Sequence, residues 1–113
     1  MPKDDRARIG HMLQAAREIA GFLKGRKRAD LDSDRLLLLA LVKEVEIIGE
    51  AAMQTTEETR AKHPTLPWKE MAGMRNRLIH AYFDINRDMV WNTVDREIPA
   101  LLKELERIRP EGM

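Results

Sequence analysis

The stretch of sequence that decides the fold is LLLLALVKEVEIIGEAA, residues 36–52. Its first seven residues are all apolar, and apolar residues return at positions 45, 47, 48, 51 and 52. A helix with this pattern is apolar on more than one side, and such helices are usually central, packed against both the core and a partner. The stretch predicts a central helix that begins after an N-cap at Ser33, with Asp32 and Asp34 adding favourable negative charge, and runs to about Thr55.

Further helices are predicted before and directly after this stretch. Apolar residues at three- and four-residue spacing indicate a helix from about Asp5 to Lys24, followed by a solvated loop from Gly25 to Asp30. Residues 55–62 either continue the central helix or restart as a short helical turn. The segment His63–Pro67 stops the helix, because each proline lacks a backbone donor and restricts the residue before it.

The second half of the chain predicts the remaining helices. Pro67 suits the first position of a third helix that extends from Trp68 to about Tyr82. Residues 83–86 break the pattern, and a fourth helix begins at about Asp88. Pro99 either kinks that helix or starts a fifth segment. Together these elements predict an all-α, up-and-down bundle of four to five helices.

Composition limits the classes of protein to consider. At 113 residues, the chain is expected to be one domain, residues 1–113, that pairing with a second subunit would help to stabilise. Cysteine is absent, the first ten residues lack an apolar signal core, and the longest apolar run is far shorter than the roughly 20 residues of a membrane helix. We therefore expect a soluble, cytoplasmic protein. A formal net charge of +1 argues against coating nucleic acid through bulk charge, so any RNA contact is expected at a local site.

Most familiar catalytic motifs are missing. His11, His63 and His80 lie too far apart in sequence for the spacing of a helical metal site. No glycine-rich phosphate loop occurs, and no serine sits in a recognisable nucleophile setting. Neither a metal nor another cofactor is expected.

The segment MRNRLIHAYF, residues 74–83, gathers two arginines, an asparagine, a histidine and a tyrosine near a predicted helix end. On pattern alone, a solvated polar surface above core positions Leu78, Ile79 and Phe83 is the simpler interpretation. However, Arg75-x4-His80-x-Tyr82 matches the Arg-x4-His-x-Tyr motif of the HepT toxins, within the broader HEPN superfamily.

The resemblance to HepT toxins extends from about Leu36 to Ile108. It is carried, in the same order along the chain, by Glu46–Ala52, His63–Trp68, Gly73–Asn76, Val90-Trp91 and Ile98-Pro99-x-Leu101. This resemblance implies metal-independent cleavage of RNA, with Arg75 and His80 as the catalytic residues. Histidine is suited to move protons near neutrality, and arginine offers a planar set of donors to phosphate oxygens. Attack by the RNA 2′-hydroxyl would leave a cyclic phosphate.

The spacing of the motif raises a geometric question. On a straight helix, positions 75 and 80 lie about 140° apart and do not share a face. Asn76 and His80, four residues apart, do share one. Three explanations stay open: the helix unwinds near His80, the long Arg75 side chain reaches around, or the site is completed across a subunit interface. A two-fold dimer would supply two copies of His80, and the resemblance also implies a composite site in a homodimer.

Other residues are weaker candidates. Asn76 and Arg77 are expected to support the site, although an exposed helix arginine is the simpler view of Arg77. Glu50 is a candidate to orient Arg75 through a charge-assisted hydrogen bond, with a surface carboxylate as the equal alternative. The loop Gly25–Arg28 is interpreted as solvated rather than RNA-binding. Residues Trp68 and Trp91 are expected in the core, and His11 and His63 are taken as incidental.

The resemblance also implies a protein partner. HepT toxins pair with a nucleotidyltransferase antitoxin, and the family pattern makes Tyr82 the residue to which that partner transfers AMP. The alternative function is a non-catalytic HEPN module that holds a nucleotidyltransferase or a nucleotide. A bare dimeric scaffold is the third hypothesis.

Overall fold

The fold is a bundle of helices with one small pair of strands, described for residues 2–81 and 84–109 in a computed structural model. The elements in chain order are α1 (Lys3–Phe22), α2 (Asp30–Ser33), α3 (Arg35–Gln54), α4 (Glu57–Lys62), α5 (Trp68–Leu78), β1 (Ile79–Ala81), β2 (Asp84–Ile85), α6 (Arg87–Asn92), a π-helical turn (Thr93–Glu97) and α7 (Ile98–Ile108).

Helix α3 lies at the centre of this bundle. It packs against α1 on one side and α5 on the other, while α7 covers α1. Its core residues Leu41, Val45 and Ile48 are completely buried. The predicted all-α bundle with a central helix at residues 36–52 is therefore confirmed, because a helix that is apolar on more than one side needs neighbours on more than one side.

The start of the central helix differs from the prediction. Ser33 is the last residue of α2, and Asp34 is the N-cap of α3. Asp34 has extended backbone angles, and its Oδ1 accepts a hydrogen bond from the Leu37 N–H at 3.0 Å. Serine and aspartate are about equally good caps, so the sequence could not rank these neighbours. The N-cap assignment to Ser33 was wrong by one residue.

The end of α5 also differs from the prediction. The helix ends at Leu78 rather than near Tyr82, and residues 79–81 form β1, which pairs antiparallel with β2. Ile79 has extended angles, φ −125° and ψ 114°, and the Asn86 N–H donates to the Leu78 carbonyl at 2.7 Å. Ile79 and Ile85 face each other in this pair and pack against the core. Tertiary packing of these β-branched side chains outweighs the helical pattern.

The last two helices are joined by the π-helical turn Thr93–Glu97. Within it, the Ile98 N–H reaches back five residues to the Thr93 carbonyl. Pro99 follows immediately, as one of the first residues of α7, where its missing N–H is not needed. In a regular α-helix a proline crowds the carbonyl four residues before it, and the π-helical turn lies at that position, Asp95, in this chain. Helix α6, the π-helical turn and α7 follow one another without a break, so Pro99 lies just after a change of winding within one continuous helical run rather than at the start of a separate segment.

A buried carboxylate joins the start of α1 to the start of α4. Asp5 is fully buried and accepts hydrogen bonds from the Thr56 and Thr59 hydroxyls, both at 2.5 Å, and from the Thr56 N–H at 3.1 Å. Burial alone would raise the pKa of Asp5, but these hydrogen bonds outweigh it and lower the pKa from 3.8 to about 2. Because Thr56 is the N-cap of α4, this network holds the separate short helix at residues 57–62 beside the start of α1.

Both tryptophans contribute to the core as expected. Trp68 is buried, and its Nε1–H donates to the His63 carbonyl at 2.9 Å. Trp91 is partly buried and packs against the core. Among the described residues, every helix is too short or too polar to pass through a lipid bilayer.

Candidate active site

Arg75 lies in the last turn of α5 and reaches across to the central helix. Its Nε donates to Oε2 of Glu46 at 2.9 Å. The hydrogen bond from Arg75 and, to a smaller extent, the one from Lys43 hold the pKa of Glu46 below its usual range. Glu46 is thus an anionic acceptor at neutral pH that fixes one edge of the Arg75 guanidinium.

A glycine lets the two helices approach closely enough for this contact. A Cβ placed on Gly49 of α3 would stand 3.0 Å from the Met71 carbonyl oxygen of α5 and 3.5 Å from that of Ala72. Real Cβ atoms seldom come so close to a backbone oxygen, so α5 would have to move. The Ile48-Gly49-Glu50 sequence therefore sets the spacing between the helix that carries Arg75 and the helix that carries its partner.

Arg75 and Glu46 line an open groove of about 500 Å³ between α1, α3 and α5. A groove of this size is within the usual range for ligand sites. It combines permanent cations with carboxylates and a histidine, so it suits a polar, charged ligand. Its lining residues are Arg8, His11, Lys43, Glu46, Ile47, Glu50, Ala51, Gln54 and Arg75.

Glu50 lines the same groove but makes a different contact from the one expected. Its Oε1 accepts from Nε2 of Gln54 at 2.8 Å, whereas the carboxylate on Arg75 is that of Glu46. The two glutamates are one helical turn apart on α3, so both face the groove. Asn76 is exposed on α5 next to Arg75.

Arg77 points toward a different neighbour. Its Nη2 lies 3.0 Å from Oε1 of Glu97, the last residue of the π-helical turn. This ion pair ties the end of α5 to the last helices rather than to the groove. The structure thus separates Arg77 from the Arg75 cluster.

The rest of the motif lies just beyond α5. His80 is in β1, so the helical-wheel angle between positions 75 and 80 does not apply, and the backbone corresponds to the first of the three explanations, a helix that ends before His80. Tyr82, the expected AMP acceptor, lies outside the described residues, as does Phe83.

No cluster of three or more histidine, aspartate or glutamate side chains suited to a metal ion occurs among residues 2–79 and 84–109.

The arginines of the basic loop Gly25–Arg28 form ion pairs with aspartates of this chain. Arg26 pairs with Asp34 at 3.2 Å, and Arg28 pairs with Asp88 at 2.7 Å and with Asp32 at 3.0 Å. These ion pairs favour the solvated-loop interpretation.

The model of the family described as Ribonuclease HepT-like matches residues 12–108. The chain belongs to the HepT-like ribonuclease family. The match extends over all the long helices apart from the first turns of α1, and the family resemblance carried by the Arg75-x4-His80-x-Tyr82 motif is thereby confirmed.

Relatives of this HepT-like chain cover most of its length. A "Putative RNase" of Caldanaerobacter subterraneus subsp. tengcongensis is 42% identical over 106 residues, which are 94% of this chain and 95% of the relative. A "Putative RNase" of Methanocaldococcus jannaschii is 38% identical over 109 residues, 96% of this chain and 90% of the relative. A "Probable ribonuclease HepT" of Thermococcus cleftensis is 40% identical over 80 residues, 71% of this chain and 73% of the relative. No solved structure matches this chain significantly.

The groove beside Arg75 in this HepT-like chain contains residues that sequence reasoning missed. Glu46 was part of a quoted motif but was given no role, and Lys43 was not singled out. A signal for both was present, because positions 43, 46 and 50 recur at three- and four-residue spacing and share one face of α3. Arg8 and His11 of α1 carried no such signal, since only the packing of α1 on α3 brings them to the groove.

Proposed function

We propose that this HepT-like protein is a metal-independent RNA endonuclease, with Arg75 and His80 as its catalytic residues. The observation that carries the proposal is the family match, which includes the complete Arg75-x4-His80-x-Tyr82 motif. The position of Arg75, held by Glu46 at the edge of an open charged groove, supports it.

In the proposed reaction, the RNA 2′-oxygen attacks the neighbouring phosphorus. The 2′-hydroxyl proton passes to a base, the bond from phosphorus to the 5′-oxygen breaks, and an acid gives that oxygen a proton. The products are a 2′,3′-cyclic phosphate and a 5′-hydroxyl end. His80 is assigned to proton transfer, because an imidazole both accepts and releases protons near neutral pH.

Arg75 is assigned to the charge that develops on the phosphate. A guanidinium has five N–H donors, and the bond to Glu46 uses only the one on Nε. The terminal nitrogens make no hydrogen bond or ion pair with another described residue. Toward the described part of the chain, the four other N–H groups are therefore open to phosphate oxygens, and their planar arrangement is the geometry in which arginine recognises phosphate best. Asn76 and Glu50 are assigned supporting roles beside it.

We further propose that the active form is a homodimer joined through α3. Large apolar side chains are exposed at both ends of this helix: Leu36 is 83% exposed, Leu39 42% and Met53 56%. Positions 36 and 53, 39 and 50, and 43 and 46 are each equally distant from a point between residues 44 and 45. A two-fold axis there would place Leu36 against Met53, Leu39 against Glu50 and Lys43 against Glu46 of the partner subunit. The outer pair would then be apolar and the central pair would join opposite charges, with the mixed Leu39–Glu50 pair between them.

This pairing would also complete the site. Lys43, Glu46 and Glu50 line the groove and lie at the middle of the same α3 face. An axis through that face would bring the grooves of two copies together. Each composite site would then be able to draw an arginine from one chain and a histidine from the other, and so supply both an acid and a base.

The biological role that fits this activity is the toxin of a type II toxin–antitoxin pair in the cytoplasm, silenced by a nucleotidyltransferase antitoxin. In that step the Tyr82 hydroxyl would attack the α-phosphorus of ATP, release pyrophosphate and retain AMP. Tyr82 lies two residues beyond His80. The added phosphodiester and adenosine would then occupy the space intended for an RNA phosphate.

The test of the nuclease proposal is direct. Purified wild-type, Arg75→Ala and His80→Ala proteins are incubated with mixed RNA in a metal chelator, and the ends of the fragments are analysed. We expect wild-type cleavage with cyclic-phosphate ends and a loss of about 10²–10⁴-fold in rate for His80→Ala. Cleavage that chelator abolishes, or that His80→Ala leaves unchanged, would contradict the mechanism. RNA that stays intact with wild-type protein would favour the non-catalytic binding module.

A further inference from the structure

The groove beside Arg75 has a second basic wall that the motif does not include. Arg8 and His11 stand three residues apart on α1, face the groove together and are called here the α1 wall. They belong to α1, which packs against α3, whereas Arg75 lies on α5, the other helix that packs against α3. A ligand that fills the groove would therefore meet Arg75 at one side and the α1 wall at the other.

Arg8 is held in place by the buried network at the start of α1. Its Nη1 lies 3.2 Å from Oδ1 of Asp5, and Asp5 is fixed by the Thr56 and Thr59 hydroxyls. Only 26% of the Arg8 side chain is exposed, compared with 48% for Arg75. A guanidinium on such a rigid support loses little side-chain entropy when it binds a ligand.

The charges in the groove favour an anion. Arg8, Lys43 and Arg75 are cationic side chains, and the carboxylates of Glu46 and Glu50 that line the groove offset two of their three charges, while Asp5 is buried behind Arg8 rather than exposed in the groove. Both carboxylates already accept hydrogen bonds. Glu46 accepts from Arg75 and Lys43, and Glu50 accepts from Gln54. The Arg8 guanidinium lies at another edge of the groove, and among the described residues it forms an ion pair with Asp5 alone.

We propose that the α1 wall binds a phosphate of single-stranded RNA that flanks the cleaved phosphate. This inference rests on the proposed nuclease function, because it takes Arg75 as the residue at the cleaved phosphate. The groove, at about 500 Å³, is large enough for a nucleotide rather than a phosphate alone. Arg8 supplies the charge and His11 a ring donor, so together they position the RNA backbone without taking part in bond cleavage.

The test measures binding separately from cleavage. A fluorescent 2′-O-methyl RNA lacks the attacking hydroxyl, so its dissociation constant is measured by anisotropy without turnover, at several salt concentrations. The variants are Arg8→Gln and His11→Gln. The matched controls are Arg6→Gln, which removes the same charge two residues away, and His63→Gln, which changes a histidine outside the groove.

We expect Arg8→Gln and His11→Gln each to weaken binding by about three- to tenfold, with both controls within twofold of wild type. The slope of log affinity against log salt should fall by about 0.7 for Arg8→Gln, since one single-strand phosphate contact is lost. With cleavable RNA, these variants should raise KM more than they lower kcat, because a positioning residue acts on binding.

Arg8→Gln also removes the ion-pair partner of the buried Asp5 carboxylate. The thermal unfolding of this variant is therefore measured to show whether it is folded. His11 is exposed and is not part of that network, so His11→Gln tests the wall even if Arg8→Gln unfolds. RNA binding by wild type that is unchanged in His11→Gln and in folded Arg8→Gln would overturn the α1 wall while leaving the nuclease proposal intact. Weaker binding in both variants of a protein that cuts no RNA would support the wall and reject the nuclease. Absence of RNA binding by wild type would overturn both.

Discussion

The guanidinium of Arg75 and the carboxylate of Glu46 join the motif helix α5 to the central helix α3 through a hydrogen bond of 2.9 Å. Among the residues of the Arg-x4-His-x-Tyr motif, Arg75 is the one whose side chain lies in the described part of the chain, and this contact orients it. Its partner is an anion at neutral pH, because Arg75 and Lys43 lower the pKa of Glu46.

The first prediction concerns Glu46 as a positioning residue. Glu46→Ala should lower kcat for RNA cleavage by about tenfold, because Arg75 loses the acceptor that fixes its plane. Glu46→Gln should recover part of this loss, since its amide oxygen still accepts a hydrogen bond from Nε. Glu57→Ala is the matched control, as Glu57 is an exposed glutamate on α4 that does not line the groove. Equal effects of the two alanine variants would indicate a general charge effect instead.

The second prediction concerns the spacing of α3 and α5. Gly49→Ala should lower the free energy of unfolding by about 1–3 kcal/mol, because the new methyl group would meet the Met71 carbonyl oxygen at 3.0 Å. Gly73→Ala is the control within α5, where nothing lies within 4 Å of the added Cβ. That substitution should be neutral or stabilising by about 0.5–1 kcal/mol. Urea unfolding of the two variants measures the contrast, and equal stabilities would show that the close approach is unimportant.

The third prediction concerns the pH dependence of stability. The pKa of Asp5 is lowered to about 2 in the folded protein, so its ionised form contributes stability above about pH 4. That contribution should shrink as the pH falls from about 4 toward 2, where the folded-state carboxylate becomes protonated. Near pH 7, Asp5→Ala should cost about 1–3 kcal/mol, because two threonine hydroxyls lose a buried acceptor.

Chemical denaturation of wild type and Asp5→Ala between pH 7 and pH 2 measures this difference. The gap between the two proteins should narrow in acid. Asp4→Ala is the control, since Asp4 is exposed in the same helical turn. A gap that stays constant down to pH 2 would contradict the role given to the Asp5 network.

The fourth prediction concerns the α3 interface. Leu36→Glu combined with Met53→Glu should convert the dimer to a monomer, because carboxylates would be placed at both apolar ends of the proposed contact. Sedimentation at micromolar concentration measures the mass. Phe22→Glu is the control, since Phe22 is also exposed, at 39%, but lies at the end of α1. A wild-type monomer, or a dimer that survives the double substitution, would reject this interface.

A mixing experiment tests whether the site is shared between subunits. Arg75→Ala and His80→Ala proteins are each expected to be inactive. After subunit exchange, heterodimers should regain activity if one site takes its arginine from one chain and its histidine from the other. Confirmed exchange without recovery would show that each chain holds a complete site.

The fifth prediction concerns Tyr82. Co-expression with a cognate nucleotidyltransferase should increase the intact mass by one adenylyl group and abolish cleavage. Tyr82→Phe should keep its mass unchanged and remain active in the presence of the partner. An adenylyl group found on another residue, or an unmodified wild-type protein, would reject this assignment.

Sequence periodicity was sufficient for the long helices, because residues such as Leu41, Val45 and Ile48 bury the face that their spacing predicts. It failed where local preferences were nearly equal, as between Ser33 and Asp34, or where tertiary packing decided, as at Ile79. The motif identified Arg75, but its partner Glu46 and the α1 wall depend on how three helices pack. Such contacts between distant segments leave little trace in the spacing of a single sequence.

The π-helical turn before α7 has a consequence for helix phase. Buried residues Val90, Val94 and Ile98 recur every four positions, which on a regular helix would advance the apolar stripe about 80° beyond two full turns. The wider turn takes up part of this rotation, so the stripe stays aligned with Leu101 and Leu105 of α7. It also presents Glu97 to Arg77, at the end of α5. Deleting one residue from Thr93–Glu97 would therefore rotate one part of this long helix against the other and release the last turn before His80. A change in winding at residues 93–97 would therefore alter the support of β1, the strand that contains His80.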